Sequence, residues 1–167
     1  MFNKSVIEVL SNHLRRFGWE NFEVVEEQGE KEGMIKTGWA ELSGEVHGLL
    51  IDPMIEKHLL GFRAIQVAKA PADSTPADRL NGLLLAIAAF NYQLVVGGWA
   101  YDPRDGEVVY RLGVPLNDGV EYEDFEECLN VVRTAVESQG PKLKKIIDGT
   151  ATGQETVEAA HLPVGAL

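Results

Sequence analysis

Leu94-Val95-Val96-Gly97-Gly98-Trp99-Ala100-Tyr101, then Asp102-Pro103-Arg104-Asp105-Gly106, then Glu107-Val108-Val109-Tyr110-Arg111-Leu112-Gly113-Val114-Pro115-Leu116, is the stretch whose reading decides the fold. Proline, glycine and two aspartates make the middle segment a turn, and Val108, Tyr110, Leu112 and Val114 alternate behind it as in a half-buried strand. A long β-hairpin is predicted. Symmetric pairing about the turn sets Tyr110 opposite Gly98, an aromatic ring over a position without a side chain. One face then collects Val96, Ala100, Val108, Tyr110, Leu112 and Val114, enough to pack against helices. The opposite face carries Val95, Trp99, Tyr101 and Val109, with Arg111 as the only charge among the paired positions. A solvated sheet face normally shows polar residues, so this face is expected to be covered, either by the chain's own N-terminal segments or by another chain; these four are the predicted interface and a symmetric homodimer is the predicted assembly.

The uncharged run from Leu80 to Tyr101, 22 residues, is long enough to span a bilayer. Asn91, Tyr92 and Gln93 interrupt it, and Gly97-Gly98 punctuates it like a strand, so it is read as a buried helix followed by a buried strand, with no membrane partner. Thr75 as N-cap, Pro76 at the first helical position and Asp78 at the third start that helix. It runs to about Asn91 through Leu80, Leu83, Leu84, Ile87, Ala88 and Phe90, apolar on nearly every side, which predicts a central position.

Upstream, the period changes to that of strands. Phe22 to Glu26 is a short strand, followed by a charged turn from Gln28 to Gly33. Met34 to Leu42 and Glu45 to Ile51 flank Ser43-Gly44, a two-residue hairpin connection that would set Trp39 opposite Gly48, Thr37 opposite Leu50 and His47 opposite Ala40. Asp52-Pro53 is expected to end the strand, and Phe62 to Lys69 forms a fourth. A first helix begins at a capping box of Ser5 and Glu8, buries Val6, Leu10, His13, Leu14 and Phe17, and stops at Gly18. A last helix begins near Tyr122, with Glu121, Glu123, Asp124, Glu126 and Glu127 at one end and Lys142, Lys144 and Lys145 at the other, the polarity the helix dipole favours. Gly140-Pro141 is expected to kink or restart it. The predicted class is α+β, a twisted antiparallel sheet with helices packed mainly on one face. Residues 1–149 form a single domain in this reading, and 150–167 a loosely ordered tail.

Composition narrows the function. With 26 acidic and 15 basic residues the net charge is -11, and a polyanion repels phosphate, so nucleic acid is not a predicted partner. The single Cys128 permits no intrachain disulfide and lies on the apolar stripe of the last helix, as an inert core thiol of a cytoplasmic protein. The N-terminus lacks an apolar core of signal-peptide length. His13, His47, His58 and His161 never occur as a close pair, so no metal site is predicted. No serine sits in a nucleophile-elbow context, and Gly97-Gly98 lacks the strand-glycine-helix unit and following lysine of a phosphate loop. Catalytic residues and cofactors are therefore expected to be absent.

The element order resembles that of the bacterial YbjN family, whose fold is similar to that of type III secretion chaperones. The residues that carry the resemblance are Asn91-Tyr92-Gln93-Leu94, Gly98-Trp99-Ala100-Tyr101, the turn from Asp102 to Gly106, Val108-Val109-Tyr110-Arg111-Leu112, Val114-Pro115-Leu116 and the helix from Tyr122 to Ile147. The resemblance implies a non-enzymatic protein-interaction module, chaperone-like or regulatory, and transfers no functional residue. The alternative is a small apolar-ligand-binding domain, with the ligand between the central helix and the sheet and Trp39 or Trp99 as a wall.

Overall fold

The computed structural model describes residues 6–25, 33–116 and 119–160. Helix α1, Val6–Phe17, forms where Val6, Leu10 and Leu14 recur at helical spacing and turn inward. Gly18 ends it at φ +92° and donates its N–H to the Arg15 carbonyl. The predicted cap residue Ser5 lies outside the described residues, as does most of the predicted turn from Gln28 to Gly33. Strands β1 (Glu23–Val25), β2 (Met34–Ala40), β3 (Val46–Met54), β4 (Leu59–Lys69), β5 (Gly98–Asp102) and β6 (Glu107–Pro115) make one antiparallel sheet in the order β1-β2-β3-β4-β6-β5. Helices α2 (Ala77–Gln93), α3 (Tyr122–Asp148) and α4 (Gly153–Ala160) complete the fold. The α+β class and the helices on one side of an antiparallel sheet are as the sequence predicts.

Both predicted hairpin registers are wrong by one residue. Between β2 and β3 the loop is Leu42-Ser43-Gly44, closed by the Glu41 N–H on the Glu45 carbonyl at 2.8 Å and ending in Gly44 at φ +88°. Three-residue loops of this kind place a left-handed glycine last, and the extra residue shifts the pairing. Trp39 therefore faces His47, Thr37 faces Leu49, Ala40 faces Val46 and Gly38 faces Gly48. The space over Gly48 is filled from β4 by Ile65. Between β5 and β6, Gly106 at φ +76° donates to the Asp102 carbonyl at 2.8 Å, and Trp99 faces Tyr110 while Gly98 faces Arg111. Tyr110 still lies against a glycine, but it is Gly97: the phenol donates to the Val96 carbonyl at 2.9 Å, where a Cβ on Gly97 would collide with it.

Successive strand residues point to opposite faces, so a shift of one residue moves every side chain across the sheet. Trp99 and Tyr101 thus join Val108, Tyr110 and Leu112 on the helix side. There the Trp99 indole donates to Gln139 Oε1 at 2.6 Å and the Trp39 indole to Glu137 Oε1 at 2.8 Å, both on α3. Burying one tryptophan removes at least roughly 150 Å² from water, about 4 kcal/mol at about 25 cal/mol per Å². A turn-residue preference of about 1 kcal/mol does not outweigh that.

Other boundaries also differ. Strand β3 continues through Asp52 and Pro53, which pair with Gly61 and Leu60, and β4 begins at Leu59 rather than Phe62. The β2 ladder ends at Ile51, so Pro53 stands where β3 has a paired neighbour on one side only, and its missing N–H is tolerated. Helix α2 starts one residue later than expected, after Pro76 and without a side-chain cap from Thr75. It is not central: Leu84, Leu85 and Ala88 are exposed, while Leu83, Ala86, Ile87 and Phe90 pack inward. Helix α3 runs through Gly140-Pro141 without restarting, and Gly140 lets it approach Val67 of β4. Its charge polarity is as expected, with Glu123 and Asp124 in the first turn and Lys145 in the last.

Residues 150–160, read from the sequence as a loose tail, are ordered: Gly153–Ala160 is a helix packed on α2. Thr152 and Glu155 form a reciprocal capping box, with the Thr152 N–H on Glu155 Oε2 at 2.8 Å and the Glu155 N–H on Thr152 Oγ1 at 3.1 Å. Gly153 lies against the backbone of Gly82, and Gln93 Nε2 donates to the Ala160 carbonyl at 2.6 Å. Removing every residue after Gly149 is therefore expected to lower the free energy of unfolding by more than about 1 kcal/mol, read from urea titrations at unchanged secondary structure in residues 6–149.

Candidate functional site

The four residues predicted as an interface do not share a surface. Val95 is 99% exposed in the turn after α2, whereas Trp99 is 4% exposed against α3 and Val109 is 4% exposed on the other side of the sheet. Tyr101 is half-buried and donates its hydroxyl to the Ala70 carbonyl at 2.9 Å. Trp99 and Tyr101 are together, as the register requires, and apart from Val95 and Val109.

The histidines among the described residues occupy structural positions. His13 Nε2 lies 2.7 Å from the Val120 carbonyl, with its ring against Tyr122 and Phe125. His58 is exposed at φ +52°, closing the short 3-10 turn Ile55–Lys57, and His161 lies outside the described residues. His47, buried beneath Trp39, meets Glu41 Oε1 at 2.6 Å, and Glu41, Glu45 and His47 bring three ligand-type atoms within 4.8 Å of one another. Lys144 of α3 binds Glu45 there and supplies the positive charge that a metal ion would otherwise bring. Among the described residues no serine, threonine or cysteine is hydrogen-bonded to a histidine, so no nucleophile is paired with an imidazole base.

The sequence reading missed a groove of about 700 Å³ on the sheet face turned away from the helices. By alternation Lys36, Leu50, Arg63 and Arg111 look out on that side. Gly61, Gly98 and Gly113 form its floor, Met34, Leu50 and Met54 its apolar part, and Lys57, Arg63 and Arg111 its cations, against the single carboxylate Asp52. Arg63 Nη2 is bonded to Glu107 at 2.9 Å. Arg111, directly opposite Arg63, is exposed, and its guanidinium has no ion-pair or hydrogen-bond partner among the described residues. The signal in the sequence is the groove's set of strand-interior glycines, of which only Gly98 is assigned a role from the sequence, as a position beneath an aromatic ring.

The family model described as "Putative bacterial sensory transduction regulator", YbjN, matches residues 7–145. The chain belongs to the YbjN family. Among solved structures it is similar to "YbjN, a putative transcription regulator from E. coli", at 14% identity and a TM-score of 0.53, over 86% of this chain and 90% of that one. It is also similar to a chain of the ExsC-ExsE complex, at 17% identity and a TM-score of 0.56, over 81% of this chain and 91% of that one. At these identities the likeness shows the fold. The comparison with curated proteins found no match. No helix among the described residues is long and apolar enough to cross a membrane.

Cys128 is 9% exposed on the inner face of α3, and burial, with Glu127 and Asp124 nearby, pushes its thiol up to about 11. The group is thus the neutral thiol throughout the neutral range. Ellman's reagent at about pH 8, near the ordinary thiol pKa, is expected to label the native protein at a small fraction of the rate for the urea-unfolded chain. Equal rates would place the thiol at the surface.

Proposed function

We propose that this YbjN-family chain is a non-enzymatic protein-interaction module working in a reducing compartment. The observation that carries the reading is the division of the sheet: α3 closes one face, while the other keeps an open groove with unspent cationic and apolar groups. The ExsC-ExsE complex supports it, since there a chain of similar fold is assembled with another protein. The alternative ligand site between helices and sheet is disfavoured by Trp39 and Trp99, whose indoles pack against α3 and donate to it. Cross-linking in an extract of its own cells, followed by native mass spectrometry, tests both readings. A reproducible polypeptide adduct with no co-purified small molecule is expected; a bound small molecule and no polypeptide would favour the alternative.

A homodimer belongs to the same proposal, on a surface different from the predicted one. Leu84 at 41%, Leu85 at 46% and Tyr92 at 87% exposure lie along α2, and Val95 at 99% in the turn at its exit. No charge interrupts Leu80 to Tyr101, so the patch itself carries no like charge against a second copy, although Glu123, Glu126 and Glu127 of α3 border it at Val95. Trp99→Glu is unsuitable as a probe because it would place a charge in the core. Val95→Glu is expected to convert the dimer to a folded monomer in sedimentation velocity, with unchanged circular dichroism. A wild type that stays monomeric at high micromolar concentration would remove the dimer from the proposal.

A further inference from the structure

We propose that the groove over Gly61 and Gly113 binds an extended acidic polypeptide segment whose carboxylates meet Arg111, Arg63 and Lys57. This rests on the protein-interaction reading and names the chemistry of the partner.

Two positions in the groove give up stability with no return inside the fold. Gly113 sits within β6, where glycine loses more backbone entropy than any other residue, yet nothing lies within 4 Å of where its Cβ would be. No packing contact therefore demands a glycine. A strand-interior glycine under open space suits the close approach of another chain. Arg111 stands directly opposite Arg63 across β4 and β6, a like-charge pair that destabilises a sheet, and only Arg63 has a carboxylate partner, Glu107. A carboxylate arriving from outside would relieve that repulsion. In a chain of net charge -11, a groove with three cations and one acid is a local reversal of sign and favours an anionic occupant.

Its dimensions favour a peptide. The lining crosses β2, β3, β4, β6 and β5, consecutive in the sheet, from Met34 to Gly98. Four strand spacings make roughly 19 Å, the span of about six extended residues. Met34, Leu50 and Met54 beside the cations accept apolar side chains, and methionine adapts to varied shapes. A nucleic acid carries charge far beyond the groove and would meet the acidic remainder of the surface.

The test is fluorescence anisotropy of the full chain with a labelled octapeptide of alternating glutamate and leucine, at about 0.15 M salt, where the screening length is about 8 Å. Saturable binding is expected, with the lysine-leucine counterpart not bound. Arg111→Glu should weaken binding by about tenfold or more through loss of a charge-assisted contact, and Gly113→Val should do the same by filling the floor. Both variants should melt no lower than wild type, since the first turns a like-charge pair into an opposite-charge one and the second places a strand-favouring residue in open space. Unchanged peptide affinity in both stably folded variants would overturn the proposal. Citrate competing at the same concentration as the peptide, with no preference for chain length, would also overturn it in favour of a small-anion site. If both variants lose the peptide but still capture the cellular polypeptide, the segment is not the partner's means of binding and the groove proposal falls alone; failure of the wild type to capture any polypeptide would remove the interaction reading itself.

Discussion

The burial of α3 on one face of the sheet is the constraint on which the rest of the structure depends. Phe125, Leu129, Val132, Val136, Leu143 and Ile146 point down from it into the core. Trp39 in β2 and Trp99 in β5, toward opposite edges of the sheet but on the same face, rise to meet Glu137 and Gln139 within a single turn of that helix. An indole is too large to leave exposed cheaply, and its N–H needs an acceptor once buried. The helix therefore fixes which residues of both hairpins face inward, and the loops take whatever length delivers that register.

Closing one face leaves the management of edges and of the second face. Asn91, at the end of α2, accepts from the Trp99 N–H at 2.7 Å and donates to the Trp99 carbonyl at 2.9 Å, so its amide stands in for a neighbouring strand at the edge of β5. At the other edge β1 is only three residues long. Capped or short edges guard against pairing with other chains, which makes the sheet face the surface left for binding. That face, with its bare Gly113 and its Arg63–Arg111 pair, breaks rules of strand composition, and such breaches collect where a protein meets a partner.

Much was legible in local sequence. The strand alternation around Tyr110, the acidic start and basic end of α3, and the inward stripe of α1 each arise from contacts within a few residues, and each is present in the fold. The candidate site was not legible, because Arg63, Arg111 and Lys57 come from three elements and meet only through strand pairing. The interface residues named from the sequence scattered for the same reason: Val95 lies before β5 begins, and the register sends Trp99 and Val109 to opposite faces.

By itself the sequence determined the class of the fold, the identity and order of its long elements, the acidic charge, and the apolar periodicity that makes each element half-buried. These are properties of residues and their near neighbours, carried by propensity, capping and spacing. The tertiary structure decided the two registers, the docking of α4 through Gly82 and Gly153, the continuity of α3 across Pro141 and the sheet face left open. In a strand the side-chain period is two, so local pattern specifies alternation without saying which set faces inward. That choice was made by the partner across the core, where two tryptophans could reach one helix only in a register that the turns alone did not announce.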